Sequence, residues 1–167
     1  MIYISLGANM PSNAGPPDVT LRRALDAMPV RGIQIAAVSA FYLTPAWPVA
    51  TDPAYVNAVA RASSKLGPGA LLRTLLAIEK SFGRVRKTRW EPRCLDLDLL
   101  DFGGLVTDDE ELSLPHPRMH ERAFVLRPLI DVAPGWRHPD TGTSVAELLK
   151  IVGDEGVRPF HQIQAGA

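Results

Sequence analysis

The hydrophobic pattern of this chain switches between the period of strands and the period of helices, and the order of the switches leaves few folds open. Ile2, Ile4 and Leu6 alternate with Tyr3 and Ser5, the two-residue period of a strand, and a Gly7-Ala8-Asn9 turn follows. Pro16 and Pro17 suit the first turn of a helix that places Leu21, Ala24, Leu25 and Met28 on one face before Pro29 ends it. Residues 33–43 are rich in β-branched and aromatic side chains and predict one long strand, with a parity shift at Ala36 and Ala37 of the kind a bulge causes. A loop over 44–54 sets Pro45, Pro48 and Pro53 around Trp47, and a strand over 55–62 follows it. Gly67-Pro68 opens a helix with the stripe Leu71, Leu75, Ile78 and Phe82, closed by Gly83. A strand over 95–102 and helices over 123–132 and 144–151 complete the chain. The order β-α-β-β-α-β is the split βαβ arrangement. It predicts an α+β, ferredoxin-like sandwich: a four-stranded antiparallel sheet covered by helices on one face, with a C-terminal extension.

Length and composition narrow the function classes. A chain of 167 residues fits a single domain over 1–167, with enough mass to bury its own core. Its 18 basic and 18 acidic residues cancel, so the molecule as a whole offers no electrostatic footprint for nucleic acid or anionic lipid. Any anion it binds is held locally. Cys94 is the only cysteine, which excludes an internal disulfide and fits a reducing compartment. The apolar start from Met1 to Leu6 lacks a basic flank and is too short for a signal or a membrane span. The expectation is a cytoplasmic monomer acting on small molecules, without a nucleic-acid or membrane partner.

The densest chemistry lies between Arg84 and Asp98. In Leu95-Asp96-Leu97-Asp98-Leu99 the strand period puts the leucines on one face and both carboxylates on the other, their Cα atoms roughly 7 Å apart. Such a pair suits magnesium, which takes one or two carboxylates and completes its shell with substrate phosphates. Taken alone, two aspartates so spaced more often mark a plain solvent-facing strand. The preceding loop changes that balance. Arg84, Arg86, Lys87, Arg89 and Arg93 crowd together against the single acid Glu91, a repulsion that a bound anion relieves. Guanidinium forks match phosphate oxygens, so an arginine loop joined to a metal-binding strand suits a triphosphate. Neither G-x-x-x-x-G-K-[ST] nor G-x-G-x-x-G is present, so phosphate recognition rests on side chains. Trp90 either covers a flat ligand or packs the loop down.

Other residues carry weaker signals. Tyr55 and Asn57 share a strand face and pair an aromatic surface with an amide, a combination that suits a heterocycle but also an ordinary half-buried strand. Glu79 falls on the apolar side of its helix, where a carboxylate needs a partner: a ligand, or an ion pair with the arginine loop. His116 and His120 lack the cysteine pair or H-E-x-x-H motif of a zinc site, and a phosphate contact suits His116 better. Cys94 has no assigned base and reads as structural.

Taken together, G-R-V-R-K-T-R-W-E-P-R-C-L-D-L-D-L-L from Gly83 to Leu100 resembles the signature of the 6-hydroxymethyl-7,8-dihydropterin pyrophosphokinases. The L-G-A-N near the N-terminus, F-Y-L-T-P, Tyr55-x-Asn57 and P-H-P-R-M-H-E-R-A-F-V-L from Pro115 look like further landmarks of that family, in order. The resemblance implies transfer of pyrophosphate from ATP to a pterin hydroxymethyl group, with AMP leaving. It implies two magnesium ions on Asp96 and Asp98, and ATP or its phosphates on Arg84, Arg86, Arg93, Ser113, His116 and Arg122, with Glu79 on the nucleotide side. Arg84, Arg93, Asp96 and Asp98 would serve the transfer itself. Tyr55 and Phe124 would sandwich the pterin, Asn57, Thr44 and Pro45 would read its polar edge, and Trp47 and Trp90 would close over the site. Two features depart from the pattern: a basic loop one residue shorter than in some relatives, and Glu111 where the resemblance places an arginine on ATP. Competing readings are an RNA-binding module on the same sheet, which lacks its aromatic run and basic charge here, and a catalytically inactive nucleotide sensor.

Overall fold

The computed structural model describes residues 1–47, 49–83 and 94–161. Its elements run β1 (Ile2–Ala8), α1 (Pro17–Ala27), β2 (Ile33–Val38), β3 (Tyr42–Thr44), β4 (Tyr55–Ser64), α2 (Pro68–Ser81) and β5 (Asp96–Phe102). There follow the short strands β6 (Thr107–Asp108) and β7 (Ser113–Leu114), then α3 (Ala123–Val132), α4 (Val145–Val152) and β8 (Arg158–Pro159). The main sheet has the order β5-β1-β4-β3-β8, with β2 also paired to β4, and every pairing is antiparallel. This is the expected split βαβ, ferredoxin-like arrangement.

The structure first differs from expectation in its second strand, for a local reason. The single strand expected over 33–43 divides into β2 and β3, because the chain steps out of the ladder at Ser39. There the Ser39 hydroxyl, rather than a ladder carbonyl, accepts the Val59 N–H at 3.0 Å, while the Ser39 N–H donates to Val59 O at 2.9 Å. The bulge foreseen near Ala36 is present as a register shift between Ile35 and Ala37. With β8 added beside β3, and with β2 and β3 both paired to β4, the sheet has six strands and is five wide rather than four.

Helices also cover both faces, not one. Ile2, Ile4 and Leu6 of β1, Ala58 and Ala60 of β4, and Leu97 and Leu99 of β5 pack against Leu21 and Ala24 of α1 and Leu71, Leu75 and Ile78 of α2. The opposite face contributes Tyr3, Val59 and Leu100, which lie under Val125, Leu126 and Leu129 of α3, Trp136, and Val145 and Leu148 of α4. The C-terminal extension is therefore a second cover. Ser144 and Glu147 form a reciprocal capping box that starts α4. Among the described residues no helix is long and apolar enough to cross a membrane.

This second cover stops partway along the strands. Two residues beyond Tyr3, Val59 and Leu100, on the same face, the side chains become Ser5, Asn57 and Asp98.

Candidate active site

A cavity of about 550 Å³ occupies that uncovered end of the sheet. Its floor follows from strand register. Gly7 of β1 lies between Asp96 on β5 and Asn57 on β4, and Ser5 lies opposite Asp98. A Cβ on Gly7 would meet Asn57 Oδ1 at 2.9 Å, so the missing side chain is what lets the Asn57 amide lie across the strand. Asn57 is 5% exposed and donates from Nδ2 to Thr44 Oγ1 at 2.7 Å, which fixes the direction of its amide. Thr44, Pro45, Trp47, Tyr55 and Phe124 line the same cavity, so among the described residues all those expected on the pterin side are brought together there.

Across the floor, Asp98 Oδ2 is 3.8 Å from Arg122 Nη1 and 3.9 Å from His116 Nε2, distances set by charge rather than by direct hydrogen bonds. His116 is held from behind. Its N–H donates to Leu100 O at 2.8 Å, and its Nδ1 accepts the Arg118 N–H at 3.2 Å. With Nδ1 accepting, the neutral ring carries its proton on Nε2, on the side facing Asp98. Burial, reinforced by the Arg122 guanidinium and opposed by Asp96, pushes the His116 pKa down from 6.5 to about 4. At neutral pH this ring is an uncharged hydrogen-bond donor. Arg122 also lies over Phe124, its guanidinium carbon 5.6 Å from the ring centroid. One side chain thus spans the carboxylate half and the aromatic half of the cavity.

Asp96 and Asp98 both line the cavity, and the small residues Gly7 and Ser5 opposite them leave room in front of their carboxylates. Among the described residues no group of three or more His, Cys, Asp and Glu side chains could hold a metal by itself. Two hard carboxylate oxygens donors with open space fit a cation that takes its remaining ligands from phosphate and water, as magnesium does.

Two expected residues, and the departing Glu111, lie outside this cavity lining or behind it. Ser113 sits on the β6–β7 hairpin and hydrogen-bonds the Asp108 carboxylate. Glu79 is 2% exposed, and its Oε1 accepts the Leu97 N–H at 2.8 Å. Glu111, on the surface, pairs with Arg73 of α2 at 2.7 Å. Arg84, Arg86, Trp90 and Arg93 lie outside the described residues. The cavity also includes Ser5, Gly7, Arg118, Glu121, Val152 and Gly153, none of which was expected. Gly7 was expected in a turn, but β1 runs on through Ala8, and the absent side chain there marks the close approach of Asn57. Val152 and Gly153 carried no signal, because only the docking of α4 brings them near.

Comparison with known proteins agrees with this layout. The model of the family described as 7,8-dihydro-6-hydroxymethylpterin-pyrophosphokinase (HPPK) matches residues 3–134. A Pseudomonas aeruginosa 2-amino-4-hydroxy-6-hydroxymethyldihydropteridine pyrophosphokinase is 42% identical over 93% of this chain and 94% of its own length. A Haemophilus influenzae protein of the same name is 37% identical over 91% of this chain and 92% of its own. The Pneumocystis carinii folic acid synthesis protein is 37% identical over 95% of this chain, but the chain spans only 21% of that longer protein. Among solved structures, a wild-type Plasmodium falciparum HPPK-DHPS chain superposes with a TM-score of 0.69 at 12% identity, covering 97% of this chain and 48% of the other. At that identity the likeness speaks for the fold alone. The family match and the close relatives of similar length decide the rest: the chain belongs to the 7,8-dihydro-6-hydroxymethylpterin-pyrophosphokinase family.

Proposed function

We propose that the chain, acting as one domain over 1–167, transfers pyrophosphate from ATP to the hydroxymethyl group of 6-hydroxymethyl-7,8-dihydropterin, releasing AMP, as a step of folate synthesis. The observation that carries this reading is the continuity of the cavity. Tyr55, Asn57 and Phe124 line one side, Asp96 and Asp98 the other, and Arg122 reaches both.

In this reading the pterin lies against Tyr55 and Phe124, with its polar edge read by Asn57 and by the chain at Thr44 and Pro45, and Trp47 at the cavity's edge. That orientation directs the hydroxymethyl oxygen toward Asp96 and Asp98. The oxygen forms a bond to the β-phosphorus of ATP, the bond from that phosphorus to the oxygen bridging the α-phosphate breaks, and AMP leaves with that oxygen. The hydroxyl proton passes to water. Asp96 and Asp98 would hold two magnesium ions, which when bound supply Lewis-acid stabilisation of the phosphate charge. His116, neutral and protonated on Nε2, donates to a phosphate oxygen rather than acting as a base, and Arg122 offers a guanidinium fork beside it. Arg84, Arg86 and Arg93 supply further charge, and Ser113 and Trp90 belong to the nucleotide side, as the family signature suggests, while the buried Glu79 stands behind β5 with the Leu97 N–H on its Oε1. Phosphoryl chemistry of this kind depends on positioning and charge more than on a strong base. The same reading makes the protein a cytoplasmic monomer without a nucleic-acid partner.

The test is product analysis. The protein is incubated with magnesium, ATP and the hydroxymethyl dihydropterin, and the nucleotide product is separated by chromatography. AMP in equal amount to the pterin diphosphate is expected; stoichiometric ADP would overturn the reading.

A further inference from the structure

The two carboxylates of the cavity stand on an edge strand. β5 is terminal in the sheet order and pairs only with β1 in that sheet. Leu97 lies between Asp96 and Asp98 and faces Leu6 of β1. Its N–H points away from β1, and in an antiparallel ladder that makes Leu97 a non-hydrogen-bonded position, with the inward bonds falling on its neighbours. On this outer side no further strand among the described residues receives it. The acceptor is instead Oε1 of Glu79, 2.8 Å away, reaching across from the last turns of α2.

Several features mark this bond as more than incidental. Glu79 is 2% exposed, in a helix face otherwise made of Leu71, Leu75 and Ile78. A carboxylate there has a desolvation cost that an alanine or leucine would not have, so its retention in the core needs a compensating interaction. Leu97 itself is 2% exposed and packs on the same cluster as Ile78 and Phe82, which ties the peptide to the helix by side chain as well as by backbone. The same helix end makes a second link to the strand's approach, since the Cys94 thiol donates to Phe82 O at 3.5 Å.

We propose that Glu79 is a positioning residue for the divalent cation. By holding the one peptide N–H between Asp96 and Asp98 that the sheet leaves without a ladder partner, it sets the spacing and tilt at which those two carboxylates face the cavity. The inference rests on the reading of Asp96 and Asp98 as the metal pair. Its role is mechanical: what matters is an acceptor oxygen at the end of a side chain of this length, not the charge. Groups that orient metal ligands from behind commonly change metal affinity about 10- to 100-fold when removed.

The experiment measures Mn2+ binding directly, by the free Mn2+ signal in electron paramagnetic resonance, in the presence of a non-hydrolysable ATP analogue. Four variants are compared with the unmodified chain. Glu79→Gln keeps an acceptor oxygen at the same reach, and is expected to bind Mn2+ within about 3-fold of the unmodified chain. Glu79→Leu removes the acceptor, and Glu79→Asp keeps the charge but falls short by one methylene. Both are expected to weaken Mn2+ binding about 10- to 100-fold. Raised magnesium should restore much of the turnover they lose, which a general loss of folding would not allow. Mn2+ binding unchanged in Glu79→Asp overturns the inference, and remains decisive if Glu79→Leu fails to fold. Loss of Mn2+ binding in Glu79→Gln as large as in Glu79→Leu also overturns it, because an acceptor oxygen at the right reach would then not be what matters. Asp98→Ala separates the two levels: if it binds Mn2+ normally, the metal reading itself fails and the inference with it.

Discussion

The face of the sheet that turns away from α1 and α2 has two ends, built from the same three strands, and they obey opposite rules. At the closed end Tyr3, Val59 and Leu100 lie beneath α3, α4 and Trp136. Asp101, the acid buried there, is bonded on both oxygens, by Trp136 Nε1–H at 2.7 Å and by the Gly104 N–H at 2.8 Å. At the open end Ser5, Gly7, Asn57, Asp96 and Asp98 line the cavity, where Asp98 Oδ2 stands 3.8 Å from Arg122 Nη1 and 3.9 Å from His116 Nε2. An acid sealed under helices and bonded on both oxygens belongs to the part that holds the fold together. Carboxylates that line a cavity belong to the part that accepts a ligand. A shift of two residues along a strand is enough to pass from one regime to the other.

That contrast can be broken in order of effect. Asp98→Ala, at the open end, is expected to lower AMP release about 1000-fold, on the scale of losing a main electrostatic group in a phosphate site. Its thermal melting curve should stay close to that of the unmodified chain; a collapse of stability would mean the carboxylate is structural and the division is wrong. Trp136→Ala, at the closed end, reverses the pattern. It removes a buried ring and leaves the Asp101 carboxylate short of a donor, so urea unfolding should record a loss of about 4 kcal/mol. The turnover of the folded fraction should change little. Gly7→Ala probes the seam between these behaviours. Its Cβ would press on Asn57 Oδ1 at 2.9 Å, and the KM for the pterin is expected to rise about 10-fold, about 1.4 kcal/mol of binding, with a smaller change in the KM for ATP.

The smallest effect concerns pH at the closed end. Burial lowers the His138 pKa below 6.5, reinforced by His120 and opposed by Asp140 and Asp101. Above pH 6.5 the ring is neutral in folded and unfolded chains alike, and it makes no pH-dependent contribution. As pH falls below 6.5 the unfolded chain takes up a proton that the folded chain resists, so stability declines on the acid side. Urea midpoints measured from pH 7 down to pH 5.5 should fall, and His138→Asn should flatten that slope.

The back of the molecule was legible in the pattern of apolar residues. Ile2, Ile4 and Leu6, and the stripe Leu71, Leu75 and Ile78, carry clean periods of two and of three to four, because each element buries one face and leaves the other polar. Asp96 and Asp98 were legible for the same reason. The division of residues 33–43 was not, since the Ser39 hydroxyl that replaces a ladder acceptor looks like any polar residue in a strand. The front cover was missed because Val125, Leu126 and Leu129 define an amphipathic helix without saying which surface it meets. Arg118, Glu121, Val152 and Gly153 entered the cavity only through that docking, a long-range event that local periods do not encode.

The wall formed by Val152 and Gly153 has a consequence for inhibitor design. The family model ends at residue 134, whereas this part of the cavity is built from the end of α4 and the glycine that follows it. A compound confined to Tyr55, Asn57 and Phe124 addresses features that lie within the matched segment. One extended toward Val152 and Gly153 would also draw contact from the end of α4, so its grip would depend on how that helix docks on the sheet.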